Sequence, residues 1–198
     1  MLTLPNIKII GLTGMSGAGK STMSMLFALK GFKIINCDRI AYQTSQNAVF
    51  LEELQCRFPE RLLLDDGTLD RAKTAELIFS DKSKLELYDS IIFPYITYEV
   101  MRQIREAESN IVLDAPTLFE SNLDMLCTEI VGVIADNEVC VERITERDGI
   151  SPESARARLA SQRDGEFFKK RCGIIIENNG DYPDFHDNAE RLIKQIDK

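Results

Sequence analysis

Short, dense apolar runs alternate along this chain with longer stretches in which apolar residues recur every three or four positions. The dense runs lie at 7–12, 32–36, 111–114, 129–135 and 173–177 and are rich in Ile, Val, Leu and Phe. Such runs form strands buried on both faces, as in a parallel sheet covered by helices. The helical patterns fall between them. Residues 21–30 stop at Gly31, a residue suited to the left-handed turn that closes a helix. Residues 137–147 carry the next pattern, and Ser151-Pro152-Glu153 opens another, with Ser as cap and Pro in the first helical position. Residues 187–197 carry a last one, with Leu192, Ile193 and Ile196 at helical spacing. The order predicts an α/β fold with a five-stranded parallel sheet flanked by helices.

One interval breaks the alternation. Residues 39–108 hold helical patterns at 49–58, 69–79, 85–93 and 94–108, with no clear strand. The turn Asp65-Asp66-Gly67 precedes the second pattern, and Pro94 stands in the first turn of the fourth. The interval is too long for a simple crossover in a compact sheet. It predicts an inserted helical subdomain, the natural place for an acceptor substrate, within one domain spanning 1–198. Arg71, next to Asp70, is either an anion contact or a surface charge.

The candidate chemistry centres on Gly14-Met15-Ser16-Gly17-Ala18-Gly19-Lys20-Ser21, which fits the phosphate-binding loop G-x-x-x-x-G-K-[ST]. A loop that turns its backbone N–H groups onto a polyphosphate needs positive φ at several positions, which Gly14, Gly17 and Gly19 supply without steric cost. Lys20 reaches the β- and γ-phosphates of ATP, the Ser21 hydroxyl sits on Mg²⁺, and the helix through Thr22 points its positive end at the same group. The dense run before the loop and the helix after it are the context the motif requires.

Other residues fall where such a fold places ligands, beyond the carboxyl ends of strands. Asp38 follows the second run. It is either a base for a hydroxyl proton or only the cap of a helix starting at Arg39. Asp114 ends the third run, where a carboxylate holds Mg²⁺ through water. Asn178-Asn179-Gly180 follows the fifth and is expected near the nucleotide base. The region 138–171 is rich in Arg143, Arg147, Arg156, Arg158, Arg163, Lys169, Lys170 and Arg171. Grouped on two helices, these predict a lid that carries cations to the transferring phosphoryl; the alternative is a solvated face laced with i,i+4 pairs.

Composition narrows the partners. The 198 residues include 24 Lys+Arg against 32 Asp+Glu, a net charge of −8. That balance argues against non-specific nucleic-acid binding. Five widely spaced cysteines without a C-x-x-C suit buried, reduced thiols in the cytoplasm. The single histidine, His186, excludes a His-rich zinc site and is expected to be exposed. Residues 1–6 lack a charged leader region, and no run is long enough to span a membrane. A monomer or weak homo-oligomer, acting away from membranes, is expected.

In this order the segments resemble the dephospho-CoA kinase family. The resemblance rests on Gly11-Leu12-Thr13-Gly14 leading into Gly17-Ala18-Gly19-Lys20-Ser21-Thr22, on Asp38-Arg39-Ile40-Ala41 and Asp66-Gly67-Thr68-Leu69-Asp70-Arg71, on Ile78-Phe79 and Pro116-Thr117-Leu118-Phe119-Glu120, on Arg143, Arg147 and Gln162, and on Ile176-Glu177-Asn178-Asn179-Gly180. It implies a P-loop kinase fold with a helical CoA subdomain and a lid. It also implies ATP-dependent phosphorylation of the ribose 3′-hydroxyl of dephospho-CoA, the last step of coenzyme A synthesis. Asp38 aligns with the family's proposed base, Lys20 and Ser21 with its phosphate and Mg²⁺ ligands, and Arg143 with a lid arginine. The chain departs from the family where Asn36-Cys37-Asp38 replaces Asp-Ala-Asp, Tyr42 an Arg, Phe93 a His, Thr117 a Leu and Cys172-Gly173 an Ala-Asp pair. Two other readings stay open at this point: another small-molecule P-loop kinase, and an ATP-binding homologue without transfer activity.

Overall fold

The computed structural model describes residues 7–197, so the reading of residues 1–6 lies outside the described residues. Five strands form one sheet in the order β2-β3-β1-β4-β5: β1 Ile9–Gly14, β2 Lys33–Asn36, β3 Ile111–Asp114, β4 Glu129–Ile134 and β5 Ile174–Glu177. The pairings β1–β3, β1–β4 and β4–β5 are parallel, with Leu12 opposite Asp114 and Val133 opposite Ile176. The strands fall on the five dense runs. β1 ends two residues later than its apolar pattern, because Thr13 and Gly14 go on pairing with Gly132 and Val133.

The chain divides into two compact units, residues 1–35 with 107–198, and residues 36–106. In the first, helix α1 (Lys20–Leu29) packs on β1 and on the last helix, α9 (Tyr182–Ile196). Their core joins Ile10, Leu12, Phe27, Val112, Val133 and Ile193. Gly31 closes α1 at φ +88°, as its position predicts. Helices α6 (Asn137–Asp148), α7 (Pro152–Ala160) and α8 (Gly165–Arg171) follow β4, so the cationic region spans three helices rather than two. Ser151 caps α7 by accepting from the Ser154 N–H, 3.2 Å away.

α9 begins five residues ahead of the pattern at 187–197. Asp181 caps it by accepting from the Asp184 N–H, and Pro183 lies in its first turn. The earlier start adds Phe185 to the buried stripe of Ala189, Ile193 and Ile196. His186 is half-buried against the Tyr182 ring rather than exposed, its ring centroid 5.9 Å from that of the tyrosine.

The second unit is helical: α2 (Cys37–Thr44), α3 (Ala48–Arg57), α4 (Arg71–Ser80) and α5 (Lys82–Arg105), with α2, α3 and α4 each packed on α5. The two patterns expected either side of Pro94 are one helix of 24 residues. An interior proline costs about 3 kcal/mol. The buried stripe Ile92, Ile96, Val100 and Ile104 runs unbroken past it, and at roughly 2 kcal/mol per buried aliphatic side chain it outweighs that cost. An antiparallel bridge joins Leu63 to Leu69 across the turn at Gly67.

None of the five cysteines forms a disulfide, but only Cys37 and Cys140 are buried; Cys127 and Cys172 are half-buried and Cys56 is exposed. Among the described residues no helix is long and apolar enough to cross a membrane.

Replacing the fully buried Phe27 with Ala should cost about 3–5 kcal/mol in urea unfolding, whereas Met125→Ala, at an exposed position, should stay within about 0.5 kcal/mol. Burial pushes the Cys172 thiol up to about 11, so on alkylation at pH 8 Cys56 should label first, and Cys172 should gain reactivity as the pH rises toward that value.

Candidate active site

The site is built where β1 runs into α1. Residues 15–19 have almost no regular hydrogen bonding of their own: Met15 N–H donates to Val133 C=O at 3.1 Å and Ala18 N–H to Met15 C=O at 3.2 Å. The first helical bond runs from Met23 N–H to Gly19 C=O, 3.1 Å. The Lys20, Ser21 and Thr22 amides ahead of it therefore have no acceptor within the helix. No side chain caps α1, and its first turn holds no acidic residue. This is a helix end left open to an anion.

Gly17 and Gly19 sit at φ +80° and +103°. A Cβ on Gly17 would come within 2.7 Å of the Cys140 carbonyl oxygen, and one on Gly19 would run into the Asn178 amide. Both the backbone angle and the close approach exclude a side chain there. Gly14 presses on the Val133 backbone in the same way, and Ala18 is fully buried. Thr22 is half-buried and Ser21 exposed on the first turn of α1.

Two contacts brace this loop from outside. Asn178, itself buried, donates from Nδ2 to the Ala18 carbonyl at 2.8 Å, while its own N–H donates to Ile134 C=O at 2.9 Å. Arg143, on α6, donates from Nη1 to the carbonyls of Asn178 (2.9 Å) and Gly17 (3.5 Å), and from Nη2 to Asn178 Oδ1 (3.4 Å) and Gly180 C=O (3.5 Å). The guanidinium thus ties the phosphate loop to the loop after β5. Carbonyls satisfy its N–H groups without cancelling its charge.

Lys20 and Asp114 form an ion pair. Asp114 is 5% exposed at the end of β3, and its register beside Leu12 brings it level with the loop. The charge-bearing ends of the two sequence motifs therefore meet each other, a contact their separation along the chain does not disclose. Asp114 and the Ser21 hydroxyl are hard oxygen donors of the kind Mg²⁺ takes. Among the described residues no group of three or more His, Cys, Asp or Glu gathers as a self-sufficient metal site.

Most of the other cations of 138–171 are engaged by carboxylates. Arg147 and Arg158 meet Asp148, Arg156 meets Glu138, Arg163 meets Glu120, Lys169 meets Glu166, and Arg171 meets Asp124. The Arg156 guanidinium holds the Glu138 carboxyl below the usual carboxylate range. Such exposed pairs add little stability, but they draw these side chains back from the free cationic face that the sequence suggests. Arg143 meets carbonyls instead. Beside the loop, Met15, Glu138, Arg156, Gln162, Arg163 and Phe167 line a cleft of about 640 Å³. The Arg163 guanidinium lies 4.8 Å above the Phe167 ring, and the Arg171 guanidinium 4.5 Å above Phe119.

Asp38 lies in the other unit, exposed in the first turn of α2. It does not cap that helix: Asn36 does, its Oδ1 accepting from the Arg39 N–H at 2.7 Å. The helix starts at Cys37, two residues before the start the capping alternative requires.

The dephospho-CoA kinase family model matches residues 8–184. A dephospho-CoA kinase of Fusobacterium nucleatum is 38% identical over 193 residues, covering 96% of this chain and all of the relative. The crystal structure of TT1252 from Thermus thermophilus superposes with a TM-score of 0.82 at 30% identity, covering 96% of this chain and 98% of the other. A dephospho-CoA kinase structure from Campylobacter jejuni gives a TM-score of 0.68 at 28% identity, covering 96% of each chain.

Gly19→Ala should lower ATP affinity by at least about tenfold, measured by calorimetry, because its Cβ strikes the Asn178 amide. Gly31→Ala, at a similar φ but in open space, should cost about 1 kcal/mol of stability and leave that affinity within twofold.

Proposed function

The chain belongs to the dephospho-CoA kinase family, and on that premise we propose that it transfers the γ-phosphoryl of ATP to the ribose 3′-hydroxyl of dephospho-CoA, giving coenzyme A and ADP. The observation that carries this reading is the extent of the match. It runs from residue 8 to 184, through the helical unit as well as the phosphate loop.

The chemistry asks for positioning and charge stabilisation more than for covalent work. The open amides at the start of α1 and the loop N–H groups bind the triphosphate. Lys20 moves from Asp114 to the phosphates, and its departure leaves the Asp114 carboxylate, with the Ser21 hydroxyl, as ligands for Mg²⁺. When bound, Mg²⁺ neutralises charge on the phosphate oxygens. Arg143 keeps the loop in shape and lends its uncancelled charge to the transferring group. Asp38 orients the acceptor hydroxyl and takes its proton. Five thiols outside any disulfide support work in a reducing compartment, the cytoplasm.

The test is ADP release with ATP, Mg²⁺ and dephospho-CoA, with adenosine and AMP as comparison acceptors. ADP should form with dephospho-CoA alone, and Asp38→Asn should lower kcat by about 10²-fold or more with KM for ATP within twofold. Protein that binds ATP but forms no ADP with dephospho-CoA would overturn the reading.

A further inference from the structure

In the helical unit one cation is held without being neutralised. Arg71, the first residue of α4, is exposed. Its guanidinium carbon lies 4.2 Å from the centroid of the Tyr42 ring, and its Nη2 donates to Ser45 Oγ at 2.8 Å. Ser45 is buried, and its hydroxyl proton is committed, donating to the Tyr42 carbonyl at 2.7 Å. That leaves an Oγ lone pair for Arg71. The neighbouring carboxylate, Asp70, is turned to the Lys73 N–H as the cap of α4. Among the described residues no carboxylate meets Arg71, whereas Arg61 and Arg102 in the same unit are paired with Asp65, Glu99 and Glu106.

The arrangement has a chemical meaning. A ring face and a hydroxyl oxygen fix the plane of a guanidinium, yet neither carries a full negative charge. The guanidinium has further N–H groups beyond the one given to Ser45, and such a fork matches the two oxygens of a phosphate. A surface arginine serving only solubility gains nothing from two such supports, and ordering its long side chain costs entropy. We propose that Tyr42 and Ser45 are positioning residues that hold Arg71 as the receptor for the diphosphate of the acceptor. This deepens the kinase reading and rests on it. The triphosphate of ATP has its own receptor in the phosphate loop, so the anion left for Arg71 is the diphosphate of dephospho-CoA.

Steady-state kinetics separate the possibilities. Arg71→Gln should raise KM for dephospho-CoA by about tenfold or more, with KM for ATP within twofold and an unaltered melting temperature. Tyr42→Leu should raise the same KM by about threefold, and Tyr42→Phe, which keeps the ring face, should restore it. Ser45→Ala should move KM in the same direction. Turnover by the wild-type chain with no change of KM for dephospho-CoA in Arg71→Gln overturns the anion receptor alone. Equal KM effects from Tyr42→Phe and Tyr42→Leu overturn the stacking role. No turnover of dephospho-CoA by the wild-type chain overturns the kinase reading, and the receptor with it.

Discussion

A phosphate loop cannot hold itself. Its backbone N–H groups must stay unspent for the ligand, so the hydrogen bonds that stabilise ordinary secondary structure are not available to it. In this chain the support comes from outside the loop: β4 through Val133, the residue after β5 through the Asn178 amide, and α6 through the Arg143 guanidinium. Each brace uses a loop carbonyl or an amide at the loop's edge and spares the amides at the start of α1. The parallel order of the sheet makes this possible, because it puts the carboxyl ends of β1, β3 and β4 side by side.

Much of the fold was legible because buried parallel strands are the plainest pattern a sequence can write. All five were visible as dense apolar runs, and the phosphate loop was visible from its glycines and its flanks. The failures have physical causes. Pro94 looks like a helix start when read alone; only the unbroken stripe from Ile92 to Ile104 shows that burial carries the helix through it. The start of α9 was hidden because Asp181, Tyr182 and Pro183 resemble a loop, although Asp181 is a cap and Pro183 a first-turn residue.

The site was legible in its residue types and less so in its partners. That Lys20, Asp114, Asn178 and Arg143 belong to one constellation follows from sheet register and loop approach, which are long-range facts. The cluster of arginines in 138–171 left a lid and a paired surface both open for a related reason. In a chain with more acidic than basic groups, a cation is as often a partner for a nearby carboxylate as a ligand for a substrate. Composition cannot say which. What separates Arg71 and Arg143 from the rest is the chemistry of what they touch: ring, hydroxyl and carbonyls in place of carboxylates.

The pairing of Lys20 with Asp114 has a thermodynamic side. A carboxylate as buried as Asp114 would cost several kcal/mol if left alone, and about 3–5 kcal/mol is the usual penalty for removing one partner of such a pair. The lysine therefore acts as a counterion to the folded protein before it acts as one to a nucleotide. Loading the site is an exchange of counterions, closer to an ion exchanger than to an empty socket. Folding and ligand affinity draw on the same charge, so the stability of the resting chain and the tightness of nucleotide binding are linked quantities.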